Sequence, residues 1–168
     1  MESLDSSFRD PSGYVFKLEE KFYRAIHNSY KENLDLFENS GLYSELLSKG
    51  QVLSYDTLES SKFNLTGDYF RVIFPDQLNH ISYPYEWCFS QLKDAALLTL
   101  DIQETALKYG MSLKDSSAFN IQFHNGKAVM IDTLSFEKYE EGGPWIAYRQ
   151  FCQHFLAPLL LASFVDVR

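Results

Sequence analysis

Three oxygen-bearing side chains in the second half of the chain have the types and spacing that phosphoryl transfer requires. Asp115 precedes Asn120 by five positions, and Asp132 follows Asn120 by twelve. Phosphoryl transfer needs an acidic group near the attacking hydroxyl and two oxygen ligands that hold magnesium against the nucleotide phosphates. These three side chains supply all three groups, so the sequence predicts a magnesium-dependent phosphate site.

A tight hairpin is predicted to bring two of these side chains together. Ile121-Gln122-Phe123 and Ala128-Val129-Met130-Ile131 are short apolar runs on either side of Asn125-Gly126, a dipeptide that two-residue hairpin turns favour strongly. Asn120 and Asp132 then occupy the adjacent open ends of one hairpin. Their oxygens are therefore expected to lie close together.

Each of these residues also has a structural interpretation. Asp115 lies in a Ser-rich loop and could brace a turn. Asn120 could bond its own backbone at the entry to the hairpin, and Asp132 could cap the turn that follows it. His154 is expected to be a hydrogen-bonded packing residue rather than a base. The common spacing of the first three favours a functional role over these alternatives.

The first half of the chain predicts a small β-rich lobe over residues 13–80. Asp10, Pro11 and Gly13 interrupt regular structure, so residues 1–12 are expected to form a flexible N-terminus. The predicted elements of the lobe are a hairpin over 13–26, one helix from Ser29 that Gly50 ends, and strands over 51–55 and 69–74.

The second half, residues 81–168, predicts a mainly helical lobe. An aromatic linker from Tyr83 to Trp87 is followed by an amphipathic helix pattern from Phe89 to Tyr109, which Gly110 ends. The loop and hairpin with the predicted site come next. The apolar run from Phe155 to Val165 lies close to Arg168, so we expect this lobe to be cut from a longer chain.

The tract from Asp115 to Asp132 resembles the catalytic and metal loops of protein kinases and, more closely, of aminoglycoside-phosphotransferase-like kinases. This resemblance implies an α+β, protein-kinase-like fold. Its parts would be a small N-terminal β lobe with one helix and a reduced, mainly helical C-terminal lobe that carries the catalytic-loop hairpin. It also implies that Asp115 is the catalytic group that orients or deprotonates the acceptor, and that Asn120 and Asp132 bind Mg²⁺.

The same resemblance implies four nucleotide-binding residues. Arg24 stands where kinases place a Lys on the third strand and would contact phosphate, and Glu32, or alternatively Glu38, stands at the helix glutamate. Tyr83 and Tyr85 could form a linker that faces adenine or a partner-binding patch, although packing of their flat rings at the lobe junction is the favoured interpretation. The implied cofactors are ATP and Mg²⁺.

The chain departs from the kinase pattern at three places. It contains no Gly-x-Gly-x-x-Gly loop to cover the phosphates, and it has Leu113-Lys114-Asp115 where His-Arg-Asp or His-Gly-Asp is usual. Arg24 is a third difference, because arginine and lysine are not equivalent at such a position. These departures favour a degenerate site over an active one.

A second resemblance covers nearly the whole chain. The phrases Ser82-Tyr83-Pro84-Tyr85-Glu86-Trp87, Ile131-Asp132-Thr133-Leu134-Ser135-Phe136 and Pro144-Trp145-Ile146-Ala147-Tyr148 resemble the N-terminal region of large bacterial proteins labelled SAM-dependent methyltransferases, which include nodulation-type proteins. The resemblance implies a C-terminal methyltransferase domain as a partner in the full-length protein. This chain has no acidic-Gly-x-Gly-x-Gly turn of its own, so SAM would bind only to that separate domain.

Composition and sequence patterns argue against two classes of binding partner, nucleic acids and membranes. A formal charge of −8 gives no basic stripe for a nucleic-acid backbone, and no stretch reads as a signal peptide or a membrane span. The two cysteines lack metal-ligand spacing, which fits a reducing cytoplasm. Neither nucleic acid nor a membrane is therefore an expected partner.

Three functions remain open on the sequence. The favoured one is a degenerate or accessory kinase-like module that binds nucleotide and magnesium within a methyltransferase-linked protein. The second is an active ATP-dependent phosphotransferase acting on a small-molecule or protein hydroxyl, and the third is a non-catalytic interaction domain.

Overall fold

The computed structural model describes residues 2–3, 11–63, 65 and 67–165. The segment predicted to be flexible, residues 1–12, falls mostly outside these ranges. Within it, Glu2–Ser3 forms a short strand, β1, that pairs antiparallel with Phe16 and Lys17.

A five-stranded antiparallel sheet accounts for most of the predicted small lobe. Besides β1 it contains β2 (Gly13–Leu18), β3 (Lys21–His27), β4 (Tyr55–Glu59) and β5 (Tyr69–Pro75), in the order β1-β2-β3-β5-β4. The predicted β2–β3 hairpin is confirmed: its two-residue turn places Glu19 and Glu20 at φ 49° and 63°, the left-handed values that match the twist of the paired strands.

The predicted strand over 51–55 is displaced toward the C-terminus. Strand β4 begins only at Tyr55, because the backbone before it is already paired elsewhere. Gln51 accepts from the amide of Met130 at 2.8 Å, and the amide of Leu53 donates to Met130 at 3.3 Å. This stretch therefore joins the sheet region to the hairpin of the second half.

One predicted helix is two helices in the structure. Helix α1 spans Lys31–Asn39 and α2 spans Leu42–Ser48, with Gly41 between them at φ 96°. Glycine adopts this left-handed conformation without steric cost, so the chain turns between the helices. The apolar spacing predicted the helical residues but gave no sign of the break.

The second half contains the long helix and the hairpin where they were predicted. Helix α3 spans Phe89–Lys108 and is followed by β6 (Met111–Leu113). The hairpin strands β7 (Ile121–His124) and β8 (Lys127–Met130) flank Asn125 and Gly126 at φ 50° and 76°, and β9 (Phe136–Lys138) pairs with β6. Helix α4 (Tyr148–Phe151), a π-helical stretch (Cys152–Leu156) and α5 (Ala157–Phe164) follow.

The larger of the two hydrophobic clusters found among the described residues runs through both halves of the chain. Its buried members come from the sheet, from α1 to α3 and from the segments that follow α3, and they include Ile26, Phe37, Ile73, Ile102, Leu113, Phe136 and Phe155. Phe37 of α1 stacks on Phe136 at 4.5 Å between ring centroids. This cluster crosses the boundary predicted near residue 80, whereas the smaller cluster of Phe16, Ala25 and Val72 lies within the sheet. The boundary itself stays a prediction. None of the helices within the described ranges is long and apolar enough to cross a membrane.

Candidate functional site

The two ends of the β7–β8 hairpin meet as the sequence predicts. The amide of Ile131 donates to the carbonyl of Asn120 at 2.8 Å, which closes the open end of the hairpin. The side chains converge on the buried hydroxyl of Ser135, which donates to Asp132 Oδ2 at 2.7 Å and accepts from Asn120 Nδ2 at 3.0 Å. The structure therefore brings Asn120 and Asp132 together through Ser135, whose role no local sequence pattern predicts.

Asp132 also has the structural role that was considered as the alternative. Its Oδ1 accepts from the amide of Leu134 at 3.1 Å and so caps the helical turn Thr133–Ser135. An aspartate before a helical turn satisfies an otherwise unpaired backbone N–H in this way. Because the capped turn holds Ser135, the cap also fixes the serine that links Asp132 to Asn120.

Arg24 reaches this network from the central sheet. It lies on β3, between its register partners Val15 on β2 and Ile73 on β5, and its guanidinium forms an ion pair with Asp132 Oδ1. The side chains of Arg24 and Asp132 are only 16% and 15% exposed. The pair joins the sheet to the hairpin at the position where phosphate and metal were predicted.

Several partners determine the protonation of Asp132. Burial by itself would raise the pKa of the carboxyl, but the charge of Arg24 and the hydrogen bonds from Ser135, Leu134 and Arg24 together hold this pKa below its ordinary value. Asp132 is therefore ionised at neutral pH.

Asp115 lies in the loop that follows β6, next to the same serine. The amide of Lys114 donates to the carbonyl of Ser135 at 2.8 Å, and Asp115 Oδ1 accepts from the amide of Ser117 at 2.8 Å. This bond braces the turn, as the structural interpretation proposed. Within the described ranges, no hydrogen bond to the second carboxylate oxygen of Asp115 is seen.

The loop after Asp115 is held by the C-terminal helical segments. Gln150 accepts from the amide of Ser116 at 2.8 Å, and His154 Nδ1 accepts from the amide of Ala118 at 3.2 Å. His154 is thus a hydrogen-bonded packing residue, as expected. Gln150 carried no sequence signal, because its role depends on a contact across 34 positions.

A second cation lies beside this loop. Lys114 Nζ donates to Ser12 Oγ at 2.6 Å and stands 4.7 Å from the ring centroid of Tyr30. It connects the loop to the start of the sheet. Gly13, next to Ser12, must be glycine, since a Cβ there would lie 2.2 Å from the carbonyl oxygen of Ala25.

Three of the predicted nucleotide-binding residues stay apart from this network. Glu32 is exposed on α1, and within the described chain no contact joins it to Arg24. The alternative, Glu38, pairs with Arg71 at 2.6 Å instead. Tyr83 and Tyr85 stack on each other at 5.4 Å and are 45% and 77% exposed, so their adenine-facing role stays a prediction.

The arrangement of these side chains does not fit a magnesium ion as it stands. Asp132 Oδ1 already accepts from Arg24 and Leu134, and Oδ2 accepts from Ser135. In the part of the chain that the structure describes, no group of three or more His, Cys, Asp or Glu side chains could hold a metal. Magnesium demands near-ideal octahedral coordination by oxygen. The magnesium prediction therefore stays a prediction, and it requires Arg24 to leave Asp132.

A pocket of about 360 Å³ lies elsewhere, between the start of β4 and the β7–β8 turn. It is lined by residues that include Val52, Asp76, His124, Lys127 and Val129. None of the predicted site residues contributes to its wall. It is thus separate from the Arg24–Asp132 network.

Comparison with known proteins supports one part of the second resemblance. The chain matches no model of a known protein family. It is 36% identical over 162 residues to the nodulation protein NoeA of Rhizobium meliloti (strain 1021), and the alignment covers 96% of this chain and 34% of NoeA. The chain is therefore related to a nodulation protein, and it spans about a third of the length of that curated relative.

Proposed function

We propose that the chain is a degenerate kinase-like module within a longer, nodulation-related protein, and that it binds a nucleotide at the junction of the sheet and the β7–β8 hairpin. The observation that carries the proposal is the network of Arg24, Asp132, Ser135 and Asn120. It collects the predicted phosphate ligand and both predicted metal ligands at one place, although they are up to 108 positions apart in the chain.

The order of the elements supports a kinase-like fold. A hairpin, a helical segment, two strands, an aromatic linker and a long helix follow one another, which is the order of a kinase small lobe, hinge and first large-lobe helix. Helix α1 packs against the segment that follows Asp132, because Phe37 stacks on Phe136. The fold and the site are thus consistent with the same resemblance.

Three features favour a degenerate module over an active phosphotransferase. The chain has no glycine-rich loop, Arg24 replaces the expected lysine, and the predicted metal-binding carboxylate is committed to internal partners. Catalysis of phosphoryl transfer rests on positioning and on stabilising the charge of the transferred group. A site whose anionic ligand already carries its own counter-charge is poorly arranged for that task.

The partner of the module is proposed from the second resemblance. The relative NoeA is about three times as long as the aligned segment, since that segment covers 34% of it. We propose that a methyltransferase domain occupies part of the longer protein, that SAM binds only there, and that the whole acts in the cytoplasm. The present module would then position a substrate or regulate access to that domain.

Nucleotide binding tests the proposed function directly. Thermal unfolding of the chain is followed as ATP is added, first with and then without magnesium. A ligand that binds only the folded state at a hundred times its Kd stabilises the protein by about 2.7 kcal/mol. We expect such stabilisation for the wild type, a loss of it in Arg24→Met, and its retention in Lys93→Met, a matched change at an exposed position of α3.

Two results would change the assignment. No stabilisation by any nucleotide would reject the nucleotide-binding module and favour the interaction domain. Transfer of phosphate to an added hydroxyl compound, lost in Asp115→Ala while ATP still binds, would show an active phosphotransferase instead.

A further inference from the structure

We infer that Arg24 is the resident cation of the site: its guanidinium takes the place that a divalent metal would need, so the protein excludes metal and binds phosphate groups without it. The inference concerns the same site as the proposed function and rests on its location. It differs in what it predicts for metal ions in the absence of any nucleotide.

The charges of the network already balance. Asp132 contributes one negative charge and Arg24 one positive charge, while Asn120 and Ser135 are neutral. Both charged side chains are about five-sixths buried, and a buried carboxylate needs a paired charge and hydrogen bonds to remain ionised. A divalent ion added here would bring two further positive charges, and among the described residues no group of three or more His, Cys, Asp or Glu side chains is placed to offset them.

The oxygens of Asp132 have little capacity left for a metal. A carboxylate offers about four acceptor positions, and Arg24, Leu134 and Ser135 occupy three of them. The amide oxygen of Asn120 would add at most one more protein ligand. Magnesium bound through so few protein oxygens depends on the carboxylate being free, which the ion pair prevents.

Arg24 is held in place by the sheet. Strand β3 lies between β2 and β5, so the backbone of Arg24 is in the interior of the five-stranded sheet. A guanidinium also keeps its charge at every accessible pH, unlike a lysine in a buried site. The cation is therefore a permanent part of the fold rather than an exchangeable one.

The guanidinium has further N–H groups that can donate to a ligand. It carries five N–H groups, and Nη1 is the donor to Asp132. Among the described residues, its other nitrogens meet no hydrogen-bond acceptor. Guanidinium groups bind phosphate oxygens in a fork geometry, so Arg24 can bridge Asp132 and a phosphate group. The ligand class is a phosphate ester bound without a divalent metal.

Manganese ions provide a test that needs no nucleotide. Thermal unfolding is measured with and without Mn²⁺ for the wild type, Arg24→Met, Arg24→Lys, Asp132→Asn and the double variant Arg24→Met/Asp132→Asn. We expect Mn²⁺ to raise the Tm of Arg24→Met by about 3 °C or more, because Asp132 is then free to bind it. The wild type, Arg24→Lys and both variants that lack Asp132 should show no specific rise, and Asp132→Asn corrects for ions bound elsewhere on the acidic surface.

Two metal results overturn the inference. One is Mn²⁺ binding to the wild type, detected by loss of the free-ion EPR signal, that disappears in Asp132→Asn. The other is an Arg24→Met protein that folds, as judged by near-UV circular dichroism, yet does not respond to Mn²⁺. If Arg24→Met does not fold, the comparison of wild type with Asp132→Asn decides alone: equal, negligible Mn²⁺ binding supports the inference and a difference rejects it.

Measurements of ATP binding distinguish a failure of this inference from a failure of the proposed function. ATP binding is measured in EDTA and in magnesium, and equal Kd values are expected in both. Binding that needs magnesium overturns the inference while the proposed function stands. Absence of ATP binding under both conditions rejects the proposed function, and the manganese results still decide whether Arg24 excludes metal.

Discussion

At the scale of single residues, Asp132 has three roles that depend on one another. It caps the turn Thr133–Ser135, neutralises Arg24 and accepts from the hydroxyl of Ser135. The structural and the functional interpretation of this residue are therefore not exclusive. The capping bond sets the position of Ser135, and Ser135 in turn orients the amide of Asn120.

Replacing Asp132 by Asn should destabilise the protein in a pH-dependent way. The substitution leaves the guanidinium of Arg24 largely buried without a counter-charge, which costs about 3 kcal/mol in the free energy of unfolding near pH 7. The folded-state pKa of Asp132 is lowered from 3.8. Its stabilising effect is therefore complete above that value and is lost as the pH falls through the folded pKa. Urea unfolding of both proteins at several pH values measures this difference.

The expected pattern is a difference between wild type and Asp132→Asn that is largest near neutrality and shrinks in acid. Asp94→Asn, at an exposed position of α3, serves as the control and should match the wild type at every pH. A destabilisation by Asp132→Asn that stays constant down to strongly acidic pH would show that the charge of Asp132 is not its source.

At the scale of secondary-structure elements, buried glutamine side chains connect α3 and β7 to the loops around the site. Gln103 of α3 accepts from the amide of Leu113 at 2.8 Å and donates to Ser112 Oγ at 3.0 Å. Gln122 of β7 accepts from the amide of Ser82 and donates to its carbonyl, both at 2.9 Å. The first holds β6 and therefore the start of the Asp115 loop, and the second holds the aromatic linker.

Replacing Gln103 by Ala should loosen β6 and with it the loop that carries Asp115. The change leaves the buried amide of Leu113 without its acceptor, which costs about 2 kcal/mol in the free energy of unfolding. Hydrogen exchange at the Leu113 amide should become faster, and urea unfolding should report the loss of stability. Gln153→Ala, at an exposed position of the π-helical stretch, is the control; equal effects of the two changes would contradict the proposed role of Gln103.

At the scale of the whole molecule, helix α5 is an exception to the rule that apolar helices are buried. It contains no charged residue, yet none of its side chains is buried in the structure. Leu161 and Phe164 are 60% and 82% exposed. A helix that is apolar all round normally packs inside a protein, so α5 presents an unusually apolar exposed surface within the described part of the chain.

The two sides of α5 should respond differently to charge. Leu161→Glu should change the free energy of unfolding by less than about 0.5 kcal/mol, as exposed substitutions do. Leu159→Glu should cost about 2 kcal/mol, because Leu159 is partly buried against the core and a charge that is partly removed from water without a partner is unfavourable. Urea unfolding of both variants is the measurement. Equal losses would show that Leu161 also contributes to the folded core.

The sequence by itself determined several local elements, and it singled out Arg24, Asn120 and Asp132, which the structure joins in one network. The hairpin at Asn125-Gly126, the β2–β3 hairpin and the long helix ended by Gly110 are confirmed, since turn residues and apolar periodicity act over a few positions. The similarity to a nodulation protein also agrees with the resemblance read from short phrases. The kinase-like fold and the magnesium ion stay predictions.

Only the tertiary structure decided how the site residues are paired. The sequence placed Arg24 on a strand and Asp132 after a hairpin, but their ion pair joins positions 108 apart and depends on how the sheet packs on the hairpin. Ser135 and Gln150 were missed for the same reason, because each acts through contacts that no local pattern encodes. The shift of β4 likewise follows from the backbone hydrogen bonds that Gln51 and Leu53 make with Met130. Local preferences select the elements, whereas long-range packing selects their partners.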